Sequence, residues 1–231
     1  MIPKKIHYCW FGRGELSAKA QKCIKSWKKY CPDYEIIEWN EGNFDVNQNA
    51  YTKYCYENKK YAFLSDYARL QIIYQEGGIY FDVDVEVIKP FNDLLKVDAF
   101  FGFETNEYIN TGVGFGAIRD CYVVKVLLKE YDSLLDGKSG TIGCPELNTK
   151  ALVKVGLVQN GQKQIVGGAM IYPASYFNPY DDATGQLYLT EDTYSIHWYA
   201  KSWMDKKTVL RSILTKPLHR IFGTEFFRKK R

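Results

Sequence analysis

Apolar residues recur at helical spacing in Ala20, Cys23, Ile24 and Trp27, with lysines between them, and Ser17 precedes the run as a suitable N-cap. Lys5–Trp10 before it and Tyr34–Trp39 after it read as strands, with Pro32-Asp33 breaking the helix. Strand, helix, strand at this spacing predicts a βαβ unit: a parallel pair joined by a right-handed crossover. Such a sheet binds its ligand beyond the carboxyl ends of its strands, here near Trp10. A polar loop over 40–49 leads to a helix over Ala50–Glu57. A longer helix follows, in which Ala62, Leu64, Ala68, Ile72 and Ile73 keep the rhythm and Gly77-Gly78 supply a left-handed stop. The pattern then switches. After the apolar run Ile79-Tyr80-Phe81, Val83, Val85 and Val87 point one way and Asp82, Asp84 and Glu86 the other, so one strand is expected to run on until Pro90 stops it.

Beyond Pro90 the spacing predicts a strand over Asp98–Phe103, a glycine-rich strand within Asn110–Ala117 and a helix over Cys121–Leu135. A further helix opens at Pro145, and short strands and turns fill Val166–Pro179. Gly112, Gly114 and Ala117 match a loose dinucleotide fingerprint, but Tyr108–Thr111 is a poor buried strand and the unit lies in mid-chain, so close approach of a ligand to the backbone is the better reading. The tail, 205–231, differs from the domain expected over 1–204. Val209, Leu210, Ile213, Leu214, Leu218, Ile221 and Phe222 alternate with lysines and arginines, while Pro217 and Gly223 interrupt any single helix. It reads either as a helix packed on the domain or as a basic amphipathic segment drawn to an anionic membrane surface.

With 231 residues, 46% of them hydrophobic and 25% charged, the chain can bury the core of one large α/β domain. A net charge of +4 is too mild to argue for nucleic acid, and the acidic centre argues against it. The six cysteines form no CxxC pair, which removes the usual zinc spacings and fits reduced, buried thiols of a cytoplasmic protein. No leader is read in Met1–Lys5 and no apolar run is long enough to span a bilayer. A cytoplasmic protein, peripheral on the membrane face through its tail, is the expectation.

The chemistry concentrates in residues 61–86. Carboxylates crowded on one strand face repel each other unless solvent screens them, an arginine pairs with them or a cation sits there. Oxygen-only ligands favour magnesium or manganese over zinc. An EF-hand is excluded, because Val87 and Asp93 stand where its glycine and glutamate are required. Asp66 and Arg69, three apart, share a helix face, either as a surface ion pair or as a buried pair that grips a ligand. Trp10 suits plain core or stacking on a flat base, Asn110 a turn or a sugar contact, and His197 a core imidazole or a metal ligand.

Ser65-Asp-Tyr-Ala-Arg-Leu70, Gly77-Gly-Ile-Tyr80 and Asp82-Val-Asp84, at this joint spacing, resemble the DXD glycosyltransferases of family 32, which include capsular and exopolysaccharide transferases. The opening Ile2–Gly12 is similar to that family's first strand, and Tyr194–Trp203 to its closing motif, although Trp198 and Lys201 stand where many members carry a second His and a Gly. The resemblance implies a GT-A fold: one Rossmann-like α/β domain with a mixed central sheet flanked by helices, followed here by a helical C-terminal tail. It implies that Asp82, Asp84 and His197 hold manganese or magnesium. Trp10 would stack the base, Tyr80 and Asn110 would contact the nucleotide sugar, Asp66 and Arg69 would hold the donor sugar, and Ser202 with Trp203 would cover the phosphates. The implied reaction moves a sugar, with retention of configuration, from a UDP-sugar to a saccharide or lipid-linked oligosaccharide. Two other readings use the same acidic site: a nucleotide-sugar hydrolase and a saccharide-binding module that holds calcium. A saccharide acceptor in the product assay separates the first, and UDP binding the second.

Overall fold

The computed structural model describes residues 1–201 and 204–223. In chain order the regular elements are β1 (Lys5–Cys9), α1 (Ala18–Tyr30), β2 (Glu35–Trp39), α2 (Ala50–Glu57), α3 (Tyr61–Glu76), β3 (Gly78–Tyr80), β4 (Val85–Val87), β5 (Ala99–Gly102), β6 (Phe115–Ala117), α4 (Tyr122–Lys129), α5 (Cys144–Val153), β7 (Gln164–Val166), β8 (Ala169–Tyr172), β9 (Tyr180–Asp181), β10 (Gln186–Leu187), β11 (Ser195–His197) and α6 (Lys206–Phe222). The sheet order is β2-β1-β3-β6-β5-β8-β7. β1 pairs parallel with β2 and β3, β6 runs antiparallel between β3 and β5, and β5 pairs parallel with β8, so the sheet is mixed as expected.

Successive strand residues feed opposite faces. Ile79 and Phe100 join one apolar cluster with Ile24 and Trp27 of α1, whereas Tyr80 and Phe101 join another with Leu64, Ala68 and Ile73 of α3. Helices therefore cover both faces. The predicted bounds of α2 hold to the residue, and α1 buries Ala20, Cys23, Ile24 and Trp27, with the Ser17 hydroxyl accepting from the Ala20 N–H at 3.2 Å. All six cysteines are buried and free.

Two expectations are corrected. The strand predicted to run from Ile79 to Val87 breaks: β3 ends at Tyr80, a turn over Val83-Asp84 follows, and β4 leaves the main sheet to pair antiparallel with β11. The Val85 N–H bonds the Asp82 carbonyl at 3.0 Å across that turn, so the carboxylates are not stacked along one strand face. In the tail, α6 runs straight through Pro217 and stops only at Gly223, which takes φ 76°. Its orientation also differs from a packed amphipathic helix. Leu210, Leu214, Ile221 and Phe222 are 53–73% exposed, while Lys216 and Arg220 reach back to Asp182 and to the Thr184 and Gly185 carbonyls.

Candidate active site

β1 and β3 end side by side, and the site is built beyond their carboxyl ends. The Gly77 N–H closes α3 on the Ile73 carbonyl, with φ 64° at Gly77, and the chain drops into β3. This brings the α3 face carrying Asp66 and Arg69 to the end of β3. Arg69 is 2% exposed. Its Nη2 lies 2.8 Å from Asp66 Oδ1 and 3.1 Å from Asp82 Oδ1, and its guanidinium stacks 4.8 Å from the Tyr80 ring centre. The surface ion pair weighed for Asp66 and Arg69 is thereby excluded. Tyr80 was expected among the nucleotide contacts, but it is wholly buried and its hydroxyl donates to Asp82 Oδ1 at 3.1 Å. Its side chain serves Asp82 and Arg69 and offers no free surface.

The second aspartate has different partners. Asp84 Oδ2 accepts from the Ala200 N–H at 2.6 Å, and Oδ1 lies 3.4 Å from His197 Nε2. The β4–β11 pairing fixes this approach by setting His197 opposite Val85. The third acidic residue of the run, Glu86, accepts from Trp198 Nε1 at 2.8 Å and pairs with Lys22, so it stands apart from this cluster. Trp198, at a position where the resemblance implies a second histidine, thus ties the segment after β11 to β4. Lys201, where the resemblance implies a glycine, sits at φ 52° in the left-handed region glycine favours.

One ligand atom from each of Asp82, Asp84 and His197 lies within 4.8 Å of the others, and the buried His197 Nδ1 has no hydrogen-bond partner. Two carboxylates and an imidazole suit a hard or borderline divalent ion such as manganese or magnesium. Room for it depends on Gly112, where an added Cβ would lie 2.2 Å from Asp82 Oδ2.

The electrostatics follow from these partners. Burial pushes the Asp66 carboxyl up to about 6 against the pull of Arg69. Burial likewise raises Asp82 despite Arg69. For Asp84 burial is outweighed by His197 and by the Ala200 N–H, which hold it down to about 2. His197 is raised in turn, the Asp84 charge overcoming its burial.

Asn110 closes the floor. Its Nδ2 donates to Glu104 Oε1 at 3.0 Å, and its Oδ1 accepts from the Gly112 N–H at 2.7 Å and from the Cys144 thiol at 3.1 Å. Cys144 Sγ also lies 3.9 Å from Arg69 Nη1. Sequence reasoning missed Glu104 and Cys144; no motif marks the first, and the only signal for the second was its place before Pro145 at a helix start. Trp10 lies at the carboxyl end of β1, half-buried, with its indole N–H donating to the Gly14 carbonyl at 2.6 Å. His7, expected to be core, accepts from Trp39 Nε1 at Nδ1, so its Nε2–H donates to the Gly77 carbonyl at 2.9 Å. Ser202 and Trp203 lie outside the described residues.

Residues 17–101 match the family described as glycosyltransferase sugar-binding region containing DXD motif. A protein of Legionella pneumophila subsp. pneumophila, subversion of eukaryotic traffic protein A, is 29% identical over 129 aligned positions, which take in 44% of this chain and 20% of that protein. The chain thus spans about a fifth of the length of the curated relative it matches. The PaToxG glycosyltransferase structure overlays with a TM-score of 0.53 at 22% identity, covering 66% of this chain and 68% of its own. The galactosyltransferase LgtC, solved with donor and acceptor sugar analogs, overlays at 12% identity and a TM-score of 0.49, covering 91% of this chain and 93% of its own. Residues 17–101, which supply Asp66, Arg69 and both motif aspartates, are thus similar to the glycosyltransferase sugar-binding region containing a DXD motif, and the fold is of the GT-A type.

Proposed function

We propose that the protein transfers a sugar from a nucleoside-diphosphate sugar, a UDP-sugar by the family 32 resemblance, to a saccharide hydroxyl, with Asp82, Asp84 and His197 holding manganese or magnesium. The observation that carries this reading is the three-residue cluster, in which His197 Nε2 lies 3.4 Å from Asp84 Oδ1. When bound, the ion supplies Lewis-acid neutralisation of the diphosphate that departs as the glycosidic bond breaks. The remaining work falls to the chain. Arg69, fixed by Asp66, Asp82 and the Tyr80 ring, holds its charge against the donor without reorganising. Asp66, nearly dry, accepts from donor-sugar hydroxyls, and Asn110 orients the same sugar from the opposite loop. Trp10 stacks the base at the end of β1, and Ser202 with Trp203 shield the phosphates from water. Retention of configuration and a place in capsular or exopolysaccharide assembly belong to the same proposal, both on the strength of the resemblance.

Calorimetry with UDP and manganese, run on the parent and on Asp84→Ala, tests the reading. Manganese-dependent UDP binding and sugar transfer should be present in the parent and absent in the variant, with the melting transition retained. Transfer that survives both Asp84→Ala and EDTA ends the metal proposal.

The same proposal places the protein on an anionic membrane surface, where a lipid-linked acceptor would lie. The support is α6, pinned through its polar side while Leu210, Ile213, Leu214, Leu218, Ile221 and Phe222 face outward beside Lys207 and Arg211. No helix among the described residues is long and apolar enough to cross a membrane. Flotation with phosphatidylserine vesicles that does not change when 205–231 are removed sinks the attachment.

A further inference from the structure

A cavity of about 600 Å³ opens beside the metal cluster, within the range of small-molecule sites. It is walled by Glu104, Asn178, Tyr180, Tyr188 and Tyr199, with Ser175 of the turn after β8 on its floor. Two residues of its wall touch the site described above. Tyr199 packs its ring 4.1 Å from the His197 ring and accepts at its hydroxyl from Asn178 Nδ2 at 2.7 Å. Glu104 lines the cavity and receives the Asn110 amide.

We infer that this cavity is the acceptor subsite, and that it takes an uncharged saccharide. The inference rests on the sugar-transfer reading and specifies the half of the reaction that the DXD residues leave open.

Position is the first argument. Tyr199 holds φ 49°, a left-handed conformation rare for a bulky side chain, which the surrounding structure must enforce. The result is one ring with His197 on one side and the cavity on the other. An acceptor hydroxyl resting on that wall lies next to the donor.

The lining is the second argument. Tyr188 is 56% exposed, and no ring among the described residues packs on it, although its hydroxyl is tied to Gln186 Oε1 at 2.8 Å. A fixed ring with a free face is a platform for the apolar face of a sugar. Asn178 is 7% exposed, and its Nδ2 donates to the Glu104 carbonyl at 3.0 Å and to the Tyr199 hydroxyl at 2.7 Å, which holds two residues of the wall together.

Charge is the third argument and sets the specificity. Among the described residues the cavity wall contains no lysine or arginine. The nearby Lys201 and Lys216 are both committed to Asp182, at 2.5 and 3.2 Å. The Asp181 carboxylate is likewise occupied, capping the Ala183 N–H and the Thr184 hydroxyl. Glu104 is a wall carboxylate that no lysine or arginine pairs with among the described residues, although it accepts from the Asn110 amide, so a uronic acid or phosphorylated sugar would meet a carboxylate with no compensating cation. Hydroxyl groups, in contrast, can donate to Glu104.

A glycan array of neutral and uronate- or phosphate-bearing oligosaccharides, probed with full-length protein in the presence of UDP and manganese, tests this. Parent protein should bind neutral glycans. Tyr188→Ala and Ser175→Arg should each lower those signals at least about tenfold, while UDP–manganese affinity, measured by calorimetry, stays at the parental value. Neutral signals untouched by both substitutions, binding confined to acidic glycans, or no glycan binding by protein that does bind UDP and manganese would each overturn the subsite. Protein that binds neither UDP nor manganese would instead overturn the sugar-transfer reading itself.

Discussion

The two aspartates of the DXD motif are two residues apart in sequence and occupy opposite environments. Asp82 is tied into the main sheet: Arg69 and the Tyr80 hydroxyl both reach its Oδ1, and the Gly112 carbonyl takes its N–H. Asp84 belongs to the β4–β11 ribbon, held by the Ala200 N–H and facing His197. Burial leaves the first with a raised carboxyl pKa, whereas its neighbours hold the second down to about 2. The turn between β3 and β4 produces the difference by sending the motif from one sheet into another. One aspartate thereby faces the protein's own arginine, and the other faces an imidazole across the candidate metal cluster.

This contrast makes Asp84→Ala the most damaging change to function. It removes the carboxylate that faces His197 in the candidate metal cluster, so transfer should fall at least about a thousandfold, several kcal/mol of transition-state stabilisation. The melting temperature at neutral pH should fall modestly, since His197 and the Ala200 N–H lose the carboxylate that their contacts hold ionised. A kinetic comparison with Asp82→Ala sharpens the point: that change also disturbs the buried Arg69 and should lower thermal stability visibly. Equal stability losses in the two variants would show that the two halves of the motif do not differ as their partners indicate.

Gly112→Ala should come next. Its Cβ would sit 2.2 Å from Asp82 Oδ2 and 2.8 Å from Arg69 Nη1, so the carboxylate or the backbone must shift. The expected loss is about a hundredfold in manganese affinity, as for disturbed partners of metal ligands, read by calorimetry. Parental affinity would mean that Asp82 Oδ2 is not needed in that position.

Much of this division lay beyond sequence reading. Period-two alternation through Asp82, Asp84 and Glu86 is the same whether a strand continues or changes partner, because it reports only which side each residue faces. The change is dictated by β11, which arrives more than a hundred residues later to pair with β4. Local signals fared better where local physics decides: Ser17 capping α1, the apolar stripe ending at Trp27, and Gly77-Gly78 closing α3 all formed as the residues indicate. The three-residue spacing on α3 likewise placed Asp66 and Arg69 on one face. What it could not contain was the reach of Arg69 across to Asp82, or the insertion of Glu104 and Cys144 from other segments. In α6, Pro217 sits inside a helix because other bonds hold the turns on either side of it, and a proline rule read along the sequence cannot see them.

Asp66 offers a subtler contrast with Asp84, through pH. Its folded carboxyl titrates near 6, above the unfolded value of 3.8, so its contribution to stability is full below about pH 3.8 and is lost as pH rises through 6. Asp84, held at about 2, contributes above 3.8 and loses that contribution as pH falls toward 2. Asp66→Asn, which mimics the neutral acid, should therefore stabilise the protein at pH 7.5 by on the order of 1–2 kcal/mol while impairing transfer. Denaturant titrations at pH 4.5 and 7.5 read the sign: a variant less stable than the parent at the higher pH would mean that the pairing with Arg69 outweighs burial.

The smallest expected effect lies at the other end of the Asp84 ribbon, in Lys201→Gly. The lysine holds φ 52° where the family resemblance implies glycine, a conformation costing roughly 1 kcal/mol for a side chain with a Cβ. Against this, its Nζ pairs with Asp182 at 2.5 Å and donates to Ser212 of α6 at 3.1 Å. Both its side chain and Asp182 are largely covered, at 14% and 24% exposure, so the pair is worth more than a surface bridge. Relief of strain and loss of the pair oppose each other, and thermal stability should change by less than about 1 kcal/mol. Because Lys201 is also the described link between the closing segment and α6, its loss should loosen α6 and raise hydrogen exchange in 206–222, leaving α3 and β3 protected as before. Exchange that rises equally in α3 would mean the two halves of the site are mechanically one, and would remove the distinction between Asp82 and Asp84 drawn from their partners.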